Sequence, residues 1–216
     1  MNILGIYKKY QIMPQLMEHQ LKVAAVAKFI CENFTGESDT ENIIKACLVH
    51  DMGNIVKFDF EYSKQFLPEL SDLKNLEHWE RVQAKYRQKY GKDSHKATMG
   101  MVNELEVSQR IKELVDCIGF DKGEENAKTE DFAKKICAYS DMRVEPRGIA
   151  SLEERFKGLR HRYQNHNEGQ NHDREVFENS LREIEKQIFA QCKIGPEEIT
   201  DESVNAKLEI LRNYEI

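Results

Sequence analysis

Apolar residues recur three and four positions apart along most of the chain, and few stretches alternate with period two, so the pattern predicts helices almost throughout. A short helix is expected over 2–11, ahead of Pro14. A long one should run from Pro14 to Phe34, with Val23, Ala27, Ile30 and Phe34 as its apolar stripe and Gly36 after its end. Ser38 and Glu41 have capping-box spacing, which starts the next helix near Thr40. Its face of Ile43, Ile44, Cys47 and Leu48 leads toward Gly53. Residues 54–76, with Pro68, read as a loop holding a short helical piece. Further helices are expected over 77–90, 94–105, 108–117, 130–143, 151–166, 173–192 and 201–214, and the polar stretch Asp121–Thr129 reads as a surface loop. The fold class is all-α. A boundary in the polar stretch Asn165–Asp173 divides a domain over 1–166 from a C-terminal helical extension, 167–216, packed on it as a lid or dimer arm.

Length and composition narrow the class. A chain of 216 residues can bury a core without disulfide or zinc staples. A net charge of −6 argues against an extended nucleic-acid surface, yet leaves room for one cationic pocket and a small anionic substrate. No segment is long and apolar enough for a membrane span, and MNILGIYKKYQ has no signal-peptide pattern. Five scattered cysteines without a C-x-x-C read as reduced, buried thiols of a cytoplasmic protein.

Three helices carry a polar residue where the period demands a core side chain. His19 lies on the stripe of Val23 and Ala27. Ile44, Cys47 and Leu48 lead to Asp51, and Ile43, Ala46 and Cys47 lead to His50. Ala133 and Cys137 lead to Asp141. A buried carboxylate is costly unless it is paired or bound to a cation, and two near each other repel unless a divalent ion lies between them. Two imidazoles and two carboxylates suit one borderline divalent metal. Periodicity alone does not bring the helices together, so each residue also reads as a hydrogen-bonded core histidine or a capping aspartate.

Order along the chain adds to this. A histidine in EHQLKVAAVAKFI, a His-Asp pair in KACLVHDMGN and a distant aspartate in AYSDMRV together resemble the HD superfamily of metal-dependent phosphohydrolases, over residues 14–143. The resemblance implies a helical bundle with one divalent ion held by His19, His50, Asp51 and Asp141. Mn, Fe, Co, Ni, Zn and Mg all fit that ligand set. It implies hydrolysis of a nucleotide or other small phosphate ester or anhydride, with Asp51 also orienting the attacking water. Lys57 and His95 are further catalytic candidates, and Arg143 and Arg147 are candidate phosphate ligands, because a guanidinium fork matches phosphate oxygens. His95 resembles a histidine of two-metal members, but ELVDCIGF lacks the second one they need. Asn54 stands where the H-D-I-G-K form has lysine, and no glutamate is found near Asn54 or Ile55, where some subfamilies use one, so a metal- and nucleotide-binding regulatory module is the alternative. Di-iron oxygenases of the same fold need more histidines than this pattern provides. A homodimer remains open.

Overall fold

The structure, a computed structural model, describes residues 1–66, 74–162 and 170–216. Over these the chain forms α1 (Ile3–Lys9), α2 (Pro14–Asn33), α3 (Thr40–Val49), α4 (Phe60–Phe66), α5 (Leu76–Tyr90), α6 (Ser94–Glu104), α7 (Gln109–Asp116), α8 (Gly123–Lys128) and α9 (Phe132–Met142). A two-stranded antiparallel hairpin, β1 (Val144–Glu145) and β2 (Gly148–Ile149), precedes α10 (Leu152–Arg162), α11 (Gln170–Phe189) and α12 (Asp201–Arg212). This is the helical bundle that the periodicity predicts.

The bundle is organised on α2. Pro14 opens that helix, where its missing N–H costs nothing. Val23, Ala24, Ala25, Val26 and Ala27 are all fully buried, so α2 is covered on nearly every side rather than along one stripe. Its small alanines let α3, α9 and α12 close on it. The segments after residue 162 join the same core: α11 packs on α8 and α9, and Ile184, Ile188, Val204 and Leu211 are buried with the rest. The boundary expected at Asn165–Asp173 falls largely outside the described residues, as does Pro68.

Two devices fix α3 and α9. The first is Arg110 on α7, whose guanidinium grips Asp131 through both terminal nitrogens at 2.7 and 2.9 Å and donates from Nε to Asp39 at 2.9 Å. Asp39 and Asp131 are the residues just before α3 and α9, so one side chain ties the starts of both helices together. The second lies at the other end of α3. The helix stops at Val49, His50 caps it, and Gly53 donates its N–H to Thr98 Oγ1 of α6 at 3.0 Å. A Cβ at Gly53 would lie 2.3 Å from the Thr98 backbone nitrogen, so only glycine lets α6 cross this closely.

The expected surface loop Asp121–Thr129 is corrected. Residues Phe120–Lys122 form a 3-10 turn and Gly123–Lys128 form α8. Tertiary packing makes this helix: Gly123 is buried against Phe177, and the side chain of Asn126 donates to the Cys117 carbonyl at 2.8 Å, while the other polar residues face outward. Four of the five cysteines are buried and all are free thiols. Among the described residues no helix is long and apolar enough to cross a membrane.

Candidate metal site and cavity

His19 projects from the first half of α2, His50 and Asp51 from the end of α3, and Asp141 from the last turn of α9. The four side chains converge, each offering one donor atom, all within 4.8 Å of one another. Nε2 of His19 lies 2.9 Å from Asp141 Oδ1 and 3.6 Å from Asp51 Oδ2. Nε2 of His50 lies 3.3 and 3.8 Å from the same two oxygens. An ion with bonds of about 2.1 Å needs donor-to-donor edges of about 3.0 Å in an octahedron or about 3.4 Å in a tetrahedron. The spacings therefore suit one ion shared by all four.

Neighbouring groups aim these donors. The Nδ1–H of His50 donates to the Cys47 carbonyl at 2.8 Å, which leaves Nε2 facing the carboxylates. The backbone N–H of Asp51 donates to Gln20 Oε1 at 3.1 Å, and Gln20, wholly buried, is anchored through its own amide to the Leu16 carbonyl. Gln20 thus ties the end of α3 to the α2 turn that carries His19. Periodicity marks Gln20 only as one more polar position, because its partner is a backbone group from another helix.

Electrostatics explain how the cluster exists before an ion binds. Burial pushes the His50 pKa down, but the Asp51 charge and the Asp141 hydrogen bond outweigh it and raise it to about 9. Burial pushes Asp141 up, yet hydrogen bonds from His19 and His50 hold it well below the usual carboxylate range. At pH 7 the free site thus holds a proton on His50 that an incoming ion must displace, whereas Asp141 is already ionised. Metal affinity should rise about tenfold per pH unit between pH 6 and 8, and level off above about pH 9. Calorimetric metal titrations across that range check this, and an affinity that stays flat from pH 6 to 8 contradicts it.

His19, Asp51 and Asp141 form part of the wall of a cavity of about 890 Å³, within the range of small-molecule sites. Lys57, exposed at the end of the 3-10 turn Asn54–Lys57, lines it together with Asn54. Lys22 also lines it and was not among the sequence candidates. One signal points to it: it lies three residues past His19, on the same face of α2. Neither lysine has a carboxylate partner among the described residues.

The other candidates lie elsewhere. Arg143 is corrected as a phosphate ligand. It is 3% exposed and absent from the cavity wall, with Nε donating to Ala150 O at 2.5 Å, Nη1 to Tyr139 Oη at 2.5 Å and Pro196 O at 3.1 Å, and Nη2 to Ile199 O at 3.2 Å. A fork that fits phosphate fits converging carbonyls equally well, and here the β1–β2 hairpin and the segment before α12 supply them. Arg147 is exposed in the hairpin turn and is not part of the cavity lining. His95 is not among the residues that line this cavity. It lies exposed at the start of α6, paired with Asp116 at 2.9 Å. His78 stacks edge-on against Trp79, and His161 is exposed.

A family model described as HD domain matches residues 16–117. The match contains His19, His50 and Asp51, while Asp141 lies beyond it and reaches the site through α9. No curated protein and no solved structure matches the chain.

Proposed function

Residues 16–117 belong to the HD-domain family, a superfamily of metal-dependent phosphohydrolases, and from that premise we propose that this chain hydrolyses a small phosphate ester or anhydride, with nucleotides the first class to try. The observation that carries the reading is the convergence of His19, His50, Asp51 and Asp141 on one point in the wall of a cavity that also holds Lys22 and Lys57. A divalent ion held by these four residues would supply a nucleophilic water at neutral pH and polarise a phosphoryl oxygen.

The chain's own groups do the remaining work. Asp51, braced through its backbone by Gln20, keeps one carboxylate oxygen toward the imidazoles and orients the attacking water with the other. Lys22 and Lys57 hold phosphoryl oxygens and offset the charge that builds on them. The reading takes the protein to act in the cytoplasm, where thiols such as Cys47 and Cys137 stay reduced. The test is a panel of nucleotides and phosphomonoesters offered to the pure protein loaded in turn with Mn, Fe, Co, Ni, Zn and Mg. Turnover of none of them by any form rejects it.

Replacing Lys22 or Lys57 with methionine is expected to raise KM by roughly tenfold each, since a charge-assisted hydrogen bond contributes about 1.5–3 kcal/mol. Steady-state kinetics check this, and unchanged kinetics in the double variant return both lysines to the solvated surface.

One observation favours a second reading. Asn54 lines the cavity where the H-D-I-G-K form has lysine, and neither Asn54 nor Ile55 supplies the glutamate that some subfamilies place just after the His-Asp pair. A regulatory module would keep the ion and bind a nucleotide tightly without turning it over.

A further inference from the structure

The cavity wall combines the metal-site residues and the two lysines with apolar and aromatic side chains. Leu16, Phe58 and Tyr62 come from within the matched span 16–117, whereas Ile118, Phe120, Leu159, Phe177 and Leu181 lie outside it, just before α8 and on α10 and α11. Part of the wall is therefore contributed by the region of this chain that the family match does not reach.

Within that wall Phe120 and Phe177 form a pair. Their ring centroids are 4.8 Å apart and their planes are inclined by 50°. Phe177 is the fixed member: it is 8% exposed and lies so close over Gly123 that a Cβ there would come within 2.8 Å of its Cδ2. Phe120 is the open member, 57% exposed on the 3-10 turn yet part of the cavity lining. A phenyl ring left in water on one side and backed by a second ring on the other offers a stacking face.

We propose that Phe120, backed by Phe177, is a specificity-determining residue that stacks a planar ring joined to the phosphate, so that this cavity takes nucleoside phosphates in preference to phosphorylated polyols. The placement of the phosphate rests on the phosphohydrolase reading, but the ring seat does not.

The test compares wild type with Phe120→Ala and Phe120→Trp. For the metal-loaded enzyme, kcat/KM is measured on nucleoside 5′-monophosphates and on glycerol phosphate. Wild type should prefer the nucleotides, Phe120→Ala should reduce that preference roughly tenfold through KM, and Phe120→Trp should restore it. In parallel, saturation-transfer NMR reads the binding of unphosphorylated nucleosides, which should weaken in Phe120→Ala and return in Phe120→Trp. If no phosphate is turned over, the catalytic reading fails alone, and nucleoside binding still decides the ring seat. A wild type that prefers glycerol phosphate overturns the proposal, and so does nucleoside binding that is unchanged in Phe120→Ala.

Discussion

His50→Ala is expected to lose the bound ion and, with it, roughly a thousandfold in kcat/KM. The imidazole is one of four donors, and its Nε2 is held in place by the Nδ1 bond to Cys47. Alanine offers no donor and leaves Asp51 and Asp141 facing each other with less positive charge between them. A Lewis-acid ion supplies several kcal/mol of transition-state stabilisation, and about 4 kcal/mol corresponds to roughly three decades in rate. Asp51→Asn should lower activity by a similar factor, because it keeps the shape while removing the charge. Elemental analysis of each purified variant, beside its kinetics and circular dichroism, separates the alternatives. A folded His50→Ala protein that keeps both metal and activity would falsify the proposed ligand set.

The second large effect concerns stability. Arg143→Met should destabilise the fold by about 3–5 kcal/mol, the usual consequence of removing one partner from a buried, charge-assisted network. The methionine fills much of the volume, but the carbonyls of Ala150, Pro196 and Ile199 lose their donor, and so does the Tyr139 hydroxyl, which itself donates to Glu185 at 2.6 Å. In a chain of this length the melting temperature should fall by roughly 10 °C. Thermal and denaturant unfolding measure the loss. A phosphate-binding arginine would behave in the opposite way, raising KM with little change in melting.

Much of the helical architecture was legible because burial imposes a three-and-four period on each helix. The period marked His19, His50, Asp51 and Asp141 as polar residues at core positions but left each readable as a core histidine or a cap, and only their order along the chain, through its resemblance to the HD superfamily, joined them into one ligand set. Where the sequence reading failed, partners came from far along the chain. Asp121–Thr129 reads as loop because its residues are polar, and only Phe177 and Cys117, from other elements, make α8 worth forming. Arg143 was misread because the identity of an arginine says nothing about whether carbonyls or phosphate will meet its fork. His95 stands in a suggestive order, yet its neighbour in space is Asp116. Lys22 looks like any exposed helix lysine until the cavity is seen around it. The Phe120–Phe177 pair joins residues from separate elements, and no local spacing announces such a contact.

Because Arg110 binds the starts of α3 and α9 at Asp39 and Asp131, these neighbouring helices run in the same direction, and both deliver their carboxyl ends to the metal site. Parallel macrodipoles add instead of cancelling, each contributing about half a negative charge at its end. The peptide backbone itself thus favours a cation over an anion at this point, and on the phosphohydrolase reading the ion is expected to bind before the phosphate.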